Sequence, residues 1–456
     1  MAPRIPSSTS IAALFVAVAG CAMQLSAFWP GMMEPDAAYL WWQARGGELD
    51  TVHSPLLVLL WRALLPIADS PAPLFALFSV MFWTALWMIA ATLPWRAWQA
   101  ALFVALTGFA PPVWVLLSQV GTDVPLVATL ALATACLLRV REGSRGWLVA
   151  ALALLGVAAG MRLNAGPALL PLTWLLATGL PGGRSPARRV AWTASMLAAM
   201  FLVVMAVNRV APRQVAVWPA TAMWDLAAIS IATDRVLLPP DSVGPDMTVE
   251  DLAQAFRPWT NTTLFAQTRA GVRQPFLGSA QGELKRSIAG AWWRAVREHP
   301  VAYIHHRWRV VSALWHTRPS DWPRELAYAP GWKSRAGNPP IATRHDAWHR
   351  YWMARFEAWR SSAWLAAWPW ILLYPAAFAL AWPRRRAREG AVALGVLASG
   401  ALYALPLAVV APGAELRYLG WTFVAGWLAA GIAVAMRRPT AANLGVAAMG
   451  GSRGRT

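Results

Sequence analysis

The feature that most limits this chain is a series of apolar runs about twenty residues long, each able to cross the hydrocarbon core of a bilayer as a helix. They fall at 11–29, 71–93, 97–117, 124–140, 147–163, 164–180, 190–210, 363–382, 390–411 and 416–436. Backbone amides have no water to bond inside a bilayer, so only helices and closed barrels cross one. Barrel strands would show as short alternating segments, and the runs here do not alternate. The predicted fold is therefore an α-helical polytopic membrane protein of about ten transmembrane helices. Charge agrees: only 13% of the residues are charged, against roughly a quarter in soluble domains.

The arginines orient the helices. With the N-terminus cytoplasmic, the short inside segments hold Arg4, Arg96, Arg139, Arg141, Arg145, Arg184, Arg188 and Arg189. Arg384, Arg385, Arg386, Arg388, Arg437 and Arg438 continue the series, and the short outside connections carry mainly Arg45, Arg62, Arg162 and Arg417. Cationic loops resist translocation, so this asymmetry orients the expected bacterial inner-membrane protein with its N-terminus inside. It also accounts for much of the +19 net charge, which in a soluble protein would suggest nucleic acid; no nucleic-acid partner is expected. The first run lacks a small-residue cleavage site and reads as an uncleaved helix.

Three regions follow. Residues 1–210 form an N-terminal module of about seven spans, and 361–456 form a C-terminal module of about three spans with a disordered cytoplasmic tail. Between them, 211–360 is a periplasmic, mainly helical region with 17 Arg, 2 Lys and 12 acids. Its surplus of cations among many Trp suits a body resting on anionic headgroups. Within it, 283–298 and 300–316 read as amphipathic helices. Leu284, Ile288 and Trp292 share one face of the first; Ile304, Trp308, Val311 and Trp315 share one face of the second. The stretch 317–347 reads as loop.

The first outside loop, 30–70, is the candidate chemical centre. It holds Glu34, Asp36, Glu48 and Asp50, then His53-Ser54-Pro55 and an apolar run (55–66) too short to cross. A run of about a dozen residues suits an interfacial helix, which would hold these acids near headgroup depth. Partial desolvation there raises the basicity of a carboxylate. The competing reading makes Asp36 the cap of a helix beginning at Ala37.

The order Asp36, Tyr39, Gln43, Asp50 and His53-Ser54-Pro55-Leu56 resembles the first outside loop of the C-type (GT-C) glycosyltransferase superfamily, notably its aminoarabinose-transferase and protein O-mannosyltransferase relatives. Ser54 stands where Pro is commoner, and Trp41-Trp42 where smaller residues are frequent. Gly121-Thr122-Asp123-Val124, Arg162-Leu163-Asn164-Ala165 with Pro171, and Ala414-Glu415-Leu416-Arg417-Tyr418 are similar to later motifs of these enzymes, in the same order and on one face.

The resemblance implies an inverting enzyme that moves a sugar from a polyprenyl-phosphate donor to an envelope lipid, glycan or protein acceptor at the outer leaflet. Asp36 would be the general base, Asp123 would orient acceptor or base, and Asp50 is the second candidate base. Arg162 and Arg417 would bind the lipid phosphate, with Tyr418, Tyr39 and His53 completing the substrate site. Bland readings stand beside these: Arg417 snorkelling to headgroups, and Asp123 capping the fourth span. An unpaired charge in the apolar stretch around Arg162 is costly, so that residue needs a partner. No cofactor is expected. His299, His305, His306 and His316 lack the acids or Cys that would complete a metal site. Asp225, beside Trp224, either faces the cavity or forms a salt bridge. A transporter, flippase or polymerase of lipid-linked glycans is the alternative. Transporters concentrate ionisable groups near the midplane, often in repeated halves, and no repeat is seen.

Overall fold

The computed structural model describes residues 7–140, 144–183, 185–266, 271–273, 281–315, 322–343 and 346–436. His316, several of the orienting arginines and the C-terminal tail lie outside them. Among the described residues the chain is helical, with isolated bridges but no strand.

α1 (Ser8–Phe28) leads into two short helices, α2 (Pro35–Ala44) and α3 (Pro55–Leu64). α4 (Ala72–Thr92), α5 (Ala97–Gly108), α6 (Pro111–Leu117), α7 (Asp123–Arg139), α8 (Arg145–Met161), α9 (Gly166–Ala177) and α10 (Pro186–Asn208) follow. The middle region contributes α11 (Trp218–Thr233), α12 (Val249–Ala255), α13 (Thr262–Ala266), α14 (Gln281–Glu298), α15 (Pro300–Trp315) and α16 (Ala347–Arg360). α17 (Trp368–Ile371), α18 (Leu373–Ala381), α19 (Arg388–Ala404), α20 (Leu407–Val410) and α21 (Gly420–Ala435) close the chain.

This is a helical membrane protein, but fewer helices meet the length of a full span than the apolar runs suggested. Five do so among the described residues: 8–28, 72–92, 186–208, 388–410 and 416–435; α5 and α6 make a sixth if counted together. That pair is bent by 65°. Pro111 and Pro112 follow the break, and neither has an amide proton to continue the α5 ladder. The expected spans at 147–163 and 164–180 are separated by extended backbone at Arg162. α9 has 12 residues, about 18 Å of rise, which is short of the hydrocarbon thickness. The run at 363–382 is divided into α17 and α18. Hydropathy registers composition and does not register these breaks.

α7 is the buried centre, packed by α4, α8, α19 and α21, with nearly every side chain covered. Its position delivers Asp123, its first residue, to one end of the bundle. α1 is pinned against α4 and the end of α6 through Gln24, whose amide donates to Ser79 and to the Leu117 carbonyl while accepting from Trp83 Nε1. Buried amides need such partners. The outer faces stay apolar: Phe15 on α1 and Phe201 and Leu202 on α10 are each more than 60% exposed, as expected of helices facing lipid.

The short helix expected at 55–66 is α3, and Ser54 fixes its start. Its hydroxyl accepts from Leu57 N–H as an N-cap and donates to the Gly160 carbonyl, tying α3 to the end of α8. Ahead of α2, residues 31–34 are stapled on both sides. Met32 N–H donates to Ser118 O, Val120 N–H to Met32 O, Met33 N–H to Gly331 O and Lys333 N–H to Met33 O. Gly31 turns the chain into this staple at φ +98°, and a Cβ there would press on Val120 and Phe75. Gly31→Ala is expected to destabilise the protein by about 1–3 kcal/mol. An unchanged melting temperature in detergent would refute this account of the turn.

In the middle region α14 buries Leu284 and Ile288 as the pattern predicts. α15 follows its pattern only in part. Ile304 and Trp308 are 64% and 67% exposed and Val311 and Trp315 half-buried, while His306, Arg307 and Val310 are buried. The reason is Asp225 on α11, 1% exposed, which draws Arg307 at 2.7 Å and His306 at 3.3 Å. A buried carboxylate without such partners would be strongly destabilising.

Candidate active site

Four segments meet at one end of the bundle: the start of α2, the start of α7, the break after α8, and the turn before α21. Each is a helix end, where the chain must stop or turn and where polar side chains find backbone and solvent. Pro35 occupies the first turn of α2, which suits a residue lacking an amide proton. Asp36 therefore lies one residue inside the helix, and its carboxylate goes to Arg417 instead of capping. The capping reading of Asp36 is thus set aside. Asp123 is likewise the first residue of α7 and not its cap; it is 1% exposed and ion-paired with Arg162. The partner that Arg162 needed is this carboxylate.

Arg417 is the hub. Its guanidinium binds Glu34 and Glu415, donates to Asp36 Oδ2 at 2.8 Å, and lies 3.9 Å from Asp123 Oδ2. Only 11% of its side chain is exposed, so it does not snorkel into headgroups. Tyr418 stacks between the arginines, its ring centroid 5.3 Å from the Arg162 and from the Arg417 guanidinium, while its hydroxyl donates to Glu415 at 2.7 Å. Tyr403, from α19, points its hydroxyl at Asp123 Oδ1, 3.4 Å away.

His53 Nε2 faces Asp36 Oδ1 at 3.7 Å. Behind it stands a supporting layer. Asp50, 1% exposed, accepts from Tyr39 OH at 2.5 Å, Gln43 Nε2 at 3.0 Å and Val52 N–H at 3.1 Å. Every one of those bonds closes the loop on itself, so Asp50 and Tyr39 position His53 and do not join the Arg417 cluster. The Tyr39 ring packs edge-on to His53 with centroids 6.0 Å apart.

The structure thus brings together Asp36, Asp123, Arg162, Arg417, Tyr418 and His53, and sets Asp50 and Tyr39 one layer back. It adds Glu34, Glu415 and Tyr403, which sequence reasoning had not singled out. Glu34 and Glu415 had a signal: each stands within two residues of a chosen residue, Asp36 or Arg417. Tyr403, on an apolar helix, had none.

The electrostatics follow from numbers of charges. Glu34, Asp36, Asp123 and Glu415 share Arg417 and Arg162. Four carboxylates crowd two guanidiniums, and at Glu34 the repulsion of neighbouring carboxylates adds to burial. Burial and the carboxylates of Asp36 and Glu415 push Glu34 up to about 8, against the pull of Arg417. Asp36 moves the other way. Burial opposes its ionisation, but Arg417 and His53 outweigh that and lower it to about 2. Burial lowers His53, despite the attraction of Asp36.

Glu34 gives a pH prediction. Its folded value of about 8 exceeds the ordinary 4.5, so between them the folded state holds a proton that the unfolded state has released. Stability from this group is full below the unfolded value and is lost as pH rises toward 8. Glu34→Gln should flatten the decline in melting temperature over that window. An unaltered slope in the variant would locate the retained proton elsewhere.

Beside Arg162 and Tyr418 opens a cavity of about 710 Å³. Val217, Trp218, Trp292 and Leu407 make its wall mainly apolar, and Asp225 with Arg307 line a further part. Asp225 therefore does both things open to it from sequence, facing the cavity and forming salt bridges. Among the described residues no group of three or more His, Cys, Asp or Glu is arranged to hold a metal ion. Comparison with protein-family models, curated proteins and solved structures returned no match.

Proposed function

We propose that the protein is a glycosyltransferase of GT-C type, moving a sugar from a polyprenyl-phosphate donor to a cell-envelope acceptor at the periplasmic face of a bacterial inner membrane. In this reading α7, α8, α9 and the α17–α18 pair complete a ten-span bundle with the five long helices and the bent α5–α6 pair. The observation that carries the function is the unequal exposure within the carboxylate cluster. Asp36 is 35% exposed, whereas Glu34, Asp123 and Glu415 are at 12%, 1% and 20%. Asp36 is also the carboxylate that Arg417 and His53 hold ionised, so it is both reachable and unprotonated.

The reaction follows from that arrangement. An acceptor hydroxyl oxygen attacks the anomeric carbon, and its proton passes to an Asp36 carboxylate oxygen. The bond from the anomeric carbon to the phosphate oxygen breaks, with inversion, and its electron pair stays on the lipid phosphate. That anion needs guanidinium forks more than an acid, and Arg162, which lines the cavity, supplies one, with Arg417 adjoining. The apolar cavity suits an isoprenoid chain. Transporter function has no comparable support, because these charges gather at helix ends at one end of the bundle and not at mid-helix.

The test is incubation of the purified protein with a panel of polyprenyl-phosphate sugars and envelope acceptors, with products read by mass spectrometry. Release of polyprenyl phosphate together with a glycosylated acceptor is the expected result. Donor carried across vesicles without cleavage would establish the flippase alternative instead.

A further inference from the structure

α15 turns an apolar stripe away from the protein. Val301, Ile304 and Trp308 are 79%, 64% and 67% exposed. Their spacing of three and four residues puts them on one side of the helix, opposite His306, Arg307 and Val310, which are held inward. His305 and Arg309, also exposed, border the stripe. Leaving such a surface in water is unfavourable in proportion to its apolar area. Where α15 lies decides what meets it. Arg307 Nη1 donates at 2.8 Å to the carbonyl of Ala411, just past the candidate span 388–410. At the last residue of the helix, Trp315 O accepts at 2.9 Å from the N–H of Ala367, one residue before α17. α15 is thereby held along the edge of the apolar bundle at two points, each at the end of an apolar segment.

The neighbouring part of α14 continues this surface. Trp293, 58% exposed, lines the 710 Å³ cavity with Val409 and Val410, which are 53% and 51% exposed at the end of that same span. Trp292 joins the two helices, its ring 6.4 Å from Trp293 and 6.0 Å from Tyr303. Tryptophan is favoured at the level of lipid headgroups, where an apolar ring with one polar edge suits both sides. The charges indicate which headgroups. Residues 289–315 hold four arginines and one acid, Glu298. Arg307 is taken by Asp225. Arg294, Arg297 and Arg309 are exposed, and none of the three is ion-paired among the described residues. An apolar stripe bordered by cations matches a bilayer surface that bears anionic headgroups.

We propose that α15, with the adjoining end of α14, is an interfacial helix that seats Val301, Ile304 and Trp308 in the bilayer surface and binds anionic phospholipid through Arg294, Arg297 and Arg309. The assignment is independent of the sugar-transfer reading. To test it, the full chain carrying Cys21→Ala and Cys136→Ala, with Ile304→Cys labelled by an environment-sensitive dye, is placed in nanodiscs of phosphatidylcholine and phosphatidylglycerol. Spin-labelled lipid is expected to quench the dye about twofold or more as strongly as aqueous iodide does. Trp308→Cys serves if the first variant fails to fold. A dye reached by iodide and not by lipid would overturn the proposal. So would disulfide-linked dimers formed through the unlabelled Ile304→Cys thiol, which would give this face to a second copy of the chain. For the charges, phosphatidylglycerol added to the wild type in detergent is expected to raise the melting temperature by about 2–4 °C more than phosphatidylcholine does. Arg294→Gln/Arg297→Gln/Arg309→Gln should abolish that difference. An equal response to the two lipids, or a difference undiminished in the variant, would overturn the anionic-lipid assignment.

Discussion

Asp36→Asn is expected to fold normally and to lose sugar transfer by about 10²–10⁴-fold, the usual contribution of a positioned general base. Asn keeps an oxygen to accept from Arg417 Nη2, now 2.8 Å from Asp36, so the fork retains a partner while the proton acceptor is gone. The same change removes a charge that raises Glu34. Its titration should therefore move down, which reports on the cluster independently of turnover. Asp50→Asn is the contrasting variant. Its three bonds hold the loop closed, so its loss should appear chiefly in thermal stability. Wild-type turnover in Asp36→Asn would remove the base assignment altogether.

Arg417→Gln should have the largest effect on the fold. Arg417 binds its near neighbour Glu415 together with Glu34 and Asp36, and lies near Asp123, the last three each hundreds of residues away in sequence. Removing one partner of a buried ion pair typically costs about 3–5 kcal/mol, because the remaining charges stay buried without compensation. The expected observation is a strongly lowered melting temperature, partly restored at acid pH as the stranded carboxylates take up protons. Arg417→Lys supplies the charge without the planar fork. It should recover much of the stability but little of the transfer activity. Equal stability of the Gln variant and the wild type would show that the cluster does not depend on this guanidinium.

The candidate site was legible in part. Asp36, Asp123, Arg162 and Arg417 were named from their resemblance to glycosyltransferase motifs at the ends of apolar runs, and the structure brings all four together. Asp50 looked equivalent to Asp36 in sequence, being an acid in the same short loop. Only its three hydrogen bonds reveal that it is enclosed. Glu34 and Glu415 flanked chosen residues, yet their role depends on where Arg417 arrives from the far end of the chain. Tyr403 gave no signal, since a tyrosine on an apolar helix faces lipid, core or site with equal ease.

What the sequence determined by itself was the solvent and the secondary structure. Long apolar runs with arginines at their ends leave helices in a bilayer as the arrangement that pairs every backbone amide, whatever the packing. The short run at 55–66 was recognisable as non-spanning for the same reason, and α3 is that helix. Tertiary structure decided the rest. It bent α5 against α6 by 65°, turned the polar side of α15 inward toward Asp225, and gathered four carboxylates around two guanidiniums. Such features arise from contacts between distant segments, and no local pattern of apolar and polar residues encodes which charge will meet which. The opening pair of acids in the first loop became a site only when the arginine before the last helix closed on them.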